Sequence, residues 1–95
     1  MKSIMQDEKK CYVTGMPGDV RVLHKHHIYG GRGNRQVSED NGFWVWLLPE
    51  YHNMSNEGVH FNKEFDLALK QACQRKYEET HTRAEFMLKV GRSYL

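Results

Sequence analysis

Ninety-five residues with a formal charge of +2, 39% hydrophobic and 12% aromatic, suit one small domain (1–95) and leave no room for a second core. A core this thin is often reinforced by a metal, a partner or tight helix packing, and the small charge excess does not by itself announce a nucleic-acid binder. Two distant cysteines, Cys11 and Cys73, make neither a disulfide framework nor a Cys-x-x-Cys knuckle, and no run is apolar enough for a signal peptide or membrane span. A cytoplasmic, reduced protein is expected.

Met1 to Lys10 is polar and weakly patterned, which predicts a loose arm or an edge segment. Cys11–Thr14 has strand composition, and Gly15–Asp19 reads as a turn. Alternation over 20–28 predicts a second strand that could pair with the first as a hairpin. Residues 29–42, with glycines at 30, 31 and 33, read as loop. The aromatic run Phe43–Leu48 predicts a buried strand, with Trp44 and Trp46 on one face as packing residues. Pro49 suits a helix start, so a short helix is expected over Pro49–Met54, ended by Asn56-Glu57-Gly58. Asn62 is the expected N-cap of a long helix over about 63–79, with Phe65, Leu69, Ala72 and Lys76 at helical spacing and Leu67 and Cys73 beside them. Thr82-Arg83-Ala84-Glu85 is a capping-box pattern opening a last helix with Phe86, Met87 and Val90 inward and Gly91 as its stop. Both C-terminal helices read as scaffold.

The histidines are distributed unevenly. His24, His26 and His27 fall within four residues, and His52 and His60 follow. Imidazole is the side chain best suited to bind a metal or move a proton near neutral pH. Charge is uneven too. From Val20 to Ser38 there is no acid, while Arg21, Lys25, Arg32 and Arg35 all lie there. The histidine cluster therefore sits in the one basic stretch, as a phosphate site requires. Adjacent strand residues point to opposite faces, so His26 and His27 are expected to play different roles, one as a ligand and one as a proton acceptor. His24 reads as a strand-face residue outside the site, His81 as incidental, and Tyr29 as open to a DNA contact.

The pattern His26-His27-Ile28, then Trp46-Leu47-Leu48-Pro49-Glu50-Tyr51-His52-Asn53, then Gly58-Val59-His60 resembles the HNH endonucleases of the ββα-metal superfamily. More narrowly it looks like the small phage-encoded HNH proteins, including the group related to the RecA-dependent nuclease Ref. The likeness covers about residues 11–62. It implies an α+β fold: a ββα-metal core of a short β-hairpin and a site helix, followed by two packing helices over about 63–95. It implies a DNA endonuclease with His27 as general base, and His26, His52 and either His60 or Asn56 around one divalent ion. The base would be oriented by an asparagine, for which Asn41 is the nearest position. Lys25, Arg32 and Arg35 would hold DNA phosphates, which positions substrate without reading sequence. A three-histidine shell favours Zn2+, with Ni2+, Mn2+ or Mg2+ as alternatives. DNA, with a recombinase filament as a further partner, and the host cytoplasm follow from the same resemblance. Two other readings stand beside it: a non-catalytic zinc-stabilised DNA- or protein-binding module, and a phage accessory protein that inhibits or recruits a host factor on a nuclease scaffold.

Overall fold

Val45 and Leu47 are fully buried at the centre of the molecule, which a computed structural model describes over residues 1–53 and 58–95. They lie on a strand between glycine and proline, where β-branched and aromatic residues favour extended backbone. The elements are β1 (His24–His27), α1 (Asn34–Asn41), β2 (Trp44–Leu47), α2 (Pro49–His52), α3 (Lys63–Tyr77) and α4 (Arg83–Val90), an α+β arrangement with one two-stranded antiparallel sheet. The register pairs His24 with Leu47, Lys25 with Trp46, His26 with Val45 and His27 with Trp44. Directly opposed residues share a face. One face therefore carries His24, His26, Val45 and Leu47, and the other Lys25, His27 and both tryptophans.

The first face meets the helices. Ile28, Tyr29, Phe43, Val45 and Leu47 pack with Leu69, Cys73 and Tyr77 of α3 and Phe86 and Val90 of α4. Burying each large apolar side chain there contributes about 1.5–3 kcal/mol. The inward face of α3 runs through Leu69, Cys73 and Tyr77, so Leu67 stays exposed, as does Met87 on α4. The Asn62 side chain accepts from the Phe65 N–H at 3.0 Å, and Thr82 with Glu85 forms the reciprocal capping box. Both helix starts fall where the caps predict; α3 ends at Tyr77, short of residue 79.

Three local expectations are corrected. Residues 12–14 form a turn rather than a strand, and β1 is confined to 24–27. The early segment contributes a single bridge, Lys10 to Pro17, while β1 takes β2 as its partner. Between the two strands, 34–41 is helical, where composition predicts loop. Val37 packs partly buried against the core, but the one buried residue of this helix is polar: the Ser38 hydroxyl accepts from the Tyr29 N–H at 3.1 Å and donates to the Tyr29 carbonyl at 2.7 Å. That replaces the apolar stripe by which an amphipathic helix announces itself.

The N-terminal arm is strapped to the sheet. Ile4 N–H donates to the Gly42 carbonyl at 2.9 Å, the Ser3 hydroxyl to the Trp44 carbonyl at 2.5 Å, and Trp46 N–H to the Gln6 side chain at 2.8 Å. Gly42, in the left-handed region at φ 73°, ends α1 with its α-carbon against the Lys2 carbonyl. An L side chain there would meet both backbone strain and a blocked space. The expected end of the short helix at Met54 lies outside the described residues; within them α2 ends at His52.

Candidate metal centre

His26 comes from the third position of β1 and is 4% exposed, with its Nε2 buried and unpartnered. His52 ends α2, started by Pro49 at its first position. His60 follows in the turn beyond. The seven-residue spacing to His60 is closed by backbone: Val59 N–H donates to the Tyr51 carbonyl at 2.8 Å and His60 N–H to the His52 carbonyl at 3.2 Å. Val59 and His60 are thereby held against the end of α2. The ring centroids of His26, His52 and His60 lie 4.6–5.3 Å apart.

Each of the three offers one nitrogen, and those nitrogens all fall within 4.8 Å of one another, so the group can hold a metal ion. The side chains fit such an ion. A buried imidazole nitrogen without a partner is costly unless something ligates it, and that is the state of His26 Nε2. Burial, with His52 and His60 next to it, pushes the His26 pKa down to about 3. Burial, then the His60 and His24 rings, pushes His52 to about 4. Both are therefore neutral at pH 7, the form that binds metal. His52 Nε2 and His60 Nε2 are 2.9 Å apart, somewhat closer than the roughly 3.4 Å that a tetrahedral shell with 2.0–2.1 Å bonds sets. A small widening admits an ion where the two rings now share a proton.

His24, expected on a strand face outside the site, lies against one of its members. Its Nδ1 lies 3.0 Å from His52 Nδ1. That contact leaves His52 Nε2 to face His60 and the cluster. The signal was the period-two spacing from His24 to His26, which puts both on one strand face.

A cleft of about 350 Å³ opens at the cluster, lined by His26, His52 and His60 together with His27, Gly31 and Arg35. His27, from the end of β1, also lines the cleft. Its Nε2 meets Glu39 Oε2 at 2.8 Å. Glu39 belongs to α1, and so escaped a reading that took 29–42 as loop. Its carboxyl is held below the usual carboxylate range by the hydrogen bond from His27 and then by Lys25. Asn41, expected to orient His27, instead donates to the Val37 carbonyl at 2.8 Å and lines a separate cleft with Tyr77 and His81. Asn56 lies outside the described residues. Lys25 lines the cleft but its ammonium is engaged by Glu39 at 3.2 Å and by the face of Trp44 at 4.1 Å. Arg35 lines the cleft, whereas Arg32 is exposed on the loop outside it. Tyr29, read as open to DNA, is buried, and its hydroxyl donates to the Lys70 carbonyl at 2.6 Å.

Fold and site together define a small α+β domain whose three-histidine centre can hold a metal, in a cleft also lined by Lys25 and Arg35. No family model, curated protein or solved structure matches the chain. Among the described residues, no helix is long and apolar enough to cross a membrane.

Proposed function

We propose that this chain is a metal-dependent DNA endonuclease of the HNH type, phage-encoded, acting in DNA recombination or processing in the host cytoplasm. The observation that carries the reading is two adjacent histidines in different settings at one strand end: His26 in a three-histidine group, and His27 lining the same cleft with a carboxylate on its Nε2. A purely structural metal site has no use for the second. The resemblance of His26-His27-Ile28 and the downstream His52 segment to that superfamily supports the same reaction class.

In this reading His26, His52 and His60 would hold the ion, which would supply Lewis-acid stabilisation of the charge that develops as the phosphodiester is cleaved. Three imidazoles favour Zn2+ over Mg2+, which prefers oxygen ligands. His27, protonated on the nitrogen facing Glu39, accepts the proton of the attacking water at Nδ1. Arg35 fixes a backbone phosphate over the cleft by charge-assisted hydrogen bonds. Gly30 and Gly31, where an added β-carbon would meet open space, leave room for that backbone to approach. The products are a 5′-phosphate and a 3′-hydroxyl.

Plasmid cleavage by purified protein, with Zn2+, Ni2+, Mn2+ or Mg2+ and with or without a recombinase filament, tests this. Nicking or cutting is expected, and His27→Ala abolishes it while metal content survives. A wild-type protein that binds zinc and DNA but cuts under none of these conditions instead supports the non-catalytic module. If His27→Ala cuts normally, His27 is not the base.

A further inference from the structure

We propose that Glu39 is the positioning residue of His27, holding the ring proton on Nε2 and so presenting Nδ1 as the accepting nitrogen. The inference rests on the reading of His27 as general base for its catalytic meaning, but the tautomer it assigns stands on geometry alone.

Four side chains on one side of the sheet form a connected row. Trp44 gives its ring face to the Lys25 ammonium at 4.1 Å. Lys25 Nζ lies 3.2 Å from Glu39 Oε1 and 3.4 Å from Oε2. Glu39 Oε2 in turn takes His27 Nε2 at 2.8 Å. An ionised carboxylate only accepts hydrogen bonds. The proton in the last contact therefore belongs to imidazole Nε2, and in the neutral ring the other nitrogen carries the lone pair. A histidine's tautomer is set by the hydrogen bond its other nitrogen makes.

The scaffold fixes this row from two directions. His27 and Lys25 are two apart on β1, on the face that also bears Trp44. Glu39 comes from α1, one residue beyond Ser38, whose hydroxyl is locked to both backbone groups of Tyr29. The glutamate is thus carried by a helix seated next to the end of the strand it serves. Glu39 fills the place that the sequence assigned to Asn41. Asn41 is two residues further along α1, and its amide is bonded to its own helix. Lys25 here supports Glu39 as well as adding charge to the cleft.

The test compares wild type, Glu39→Gln and Glu39→Ala. Glu39 is partly exposed, and its removal leaves the core untouched. Long-range nitrogen–proton NMR of the imidazoles at about pH 8, where an ordinary histidine is neutral, reads the tautomer directly. His27 is expected as the Nε2–H form in wild type and Glu39→Gln, whose amide oxygen still accepts, and as a tautomer mixture in Glu39→Ala. In plasmid cleavage, Glu39→Ala is expected to lower kcat by about 10²-fold, as misplacement of a reacting group does, with KM and zinc affinity unchanged and Glu39→Gln restoring most of the rate. An unchanged His27 tautomer in Glu39→Ala overturns the proposal, as does an equal loss of kcat in both variants. If wild type cuts nothing, the nuclease reading fails and the NMR arm alone decides whether Glu39 sets the ring.

Discussion

His24 and His52 face each other Nδ1 to Nδ1 at 3.0 Å, a hydrogen bond between two imidazoles of which only one belongs to the three-histidine group. Partners that hold the far nitrogen of a ligating histidine fix its tautomer, and their loss weakens metal affinity about 10–100-fold. His24→Ala should therefore bind zinc about 10–100-fold more weakly by competition with a chromophoric chelator, while His52→Ala loses more. Equal affinity of His24→Ala and wild type would remove His24 from the site.

Acid should destabilise the metal-free protein from the site outward. The folded-state pKa of His26 is pushed down to about 3 and that of His52 to about 4, both below their ordinary value. Above about pH 6.5 neither state binds a proton at these rings and they contribute no slope. As pH falls below that, the unfolded chain takes up protons that the folded chain refuses, so stability drops until the folded values are reached. For His26 the slope is at most about 1.4 kcal/mol per pH unit. Urea unfolding at a series of pH values checks this, and His26→Gln should flatten the acid limb.

Arg35 and Arg32 should separate in DNA binding. Only Arg35 lines the cleft, so Arg35→Ala should reduce the slope of log affinity against log salt by about 0.9, the value of one phosphate contact. Arg32→Ala should change it less. Fluorescence anisotropy on a short duplex at several salt concentrations measures both, and equal effects would contradict the assignment.

Gly42→Ala should destabilise by about 1–3 kcal/mol, since φ 73° is unfavourable for alanine and the Lys2 carbonyl blocks its methyl. Ser38→Ala should cost about 1–3 kcal/mol for a different reason, because it strips both Tyr29 backbone groups of their partner in a buried place. Thermal melts separate the two. Truncating the N-terminal arm removes the Lys2 obstruction and softens the Gly42 effect, but leaves Ser38→Ala as damaging as before.

What could be read from residues alone followed how local each signal was. The caps at Asn62 and Thr82 and the proline start at Pro49 are short-range chemistry, and each element begins where they say. The strand at 44–47 was legible because six apolar residues stand between glycine and proline. His26 and His52, with either His60 or Asn56 as the third ligand, follow from the resemblance and from residue chemistry; the geometry brings His26, His52 and His60 together, and Asn56 lies outside the described residues. Helix α1 was not legible. Its one buried residue is a serine satisfied by tertiary hydrogen bonds, and glycines at 30, 31 and 33 mask its start. The cost of missing α1 was missing Glu39, while His24 was missed because its partner lies 28 positions away.

The strap laid by the first residues along β2 bears on handling as much as on folding. The Trp44 and Trp46 carbonyls and the Trp46 N–H are taken by Ser3, Tyr12 and Gln6, on the margin of the sheet that β1 does not cover. Stripped of that strap, β2 presents a bare row of backbone groups beside two tryptophans, a surface to which another copy can add its own strand. Deletions or rigid fusions at the amino end therefore carry a risk of self-association that has nothing to do with the histidines, and an affinity tag belongs at the carboxyl end.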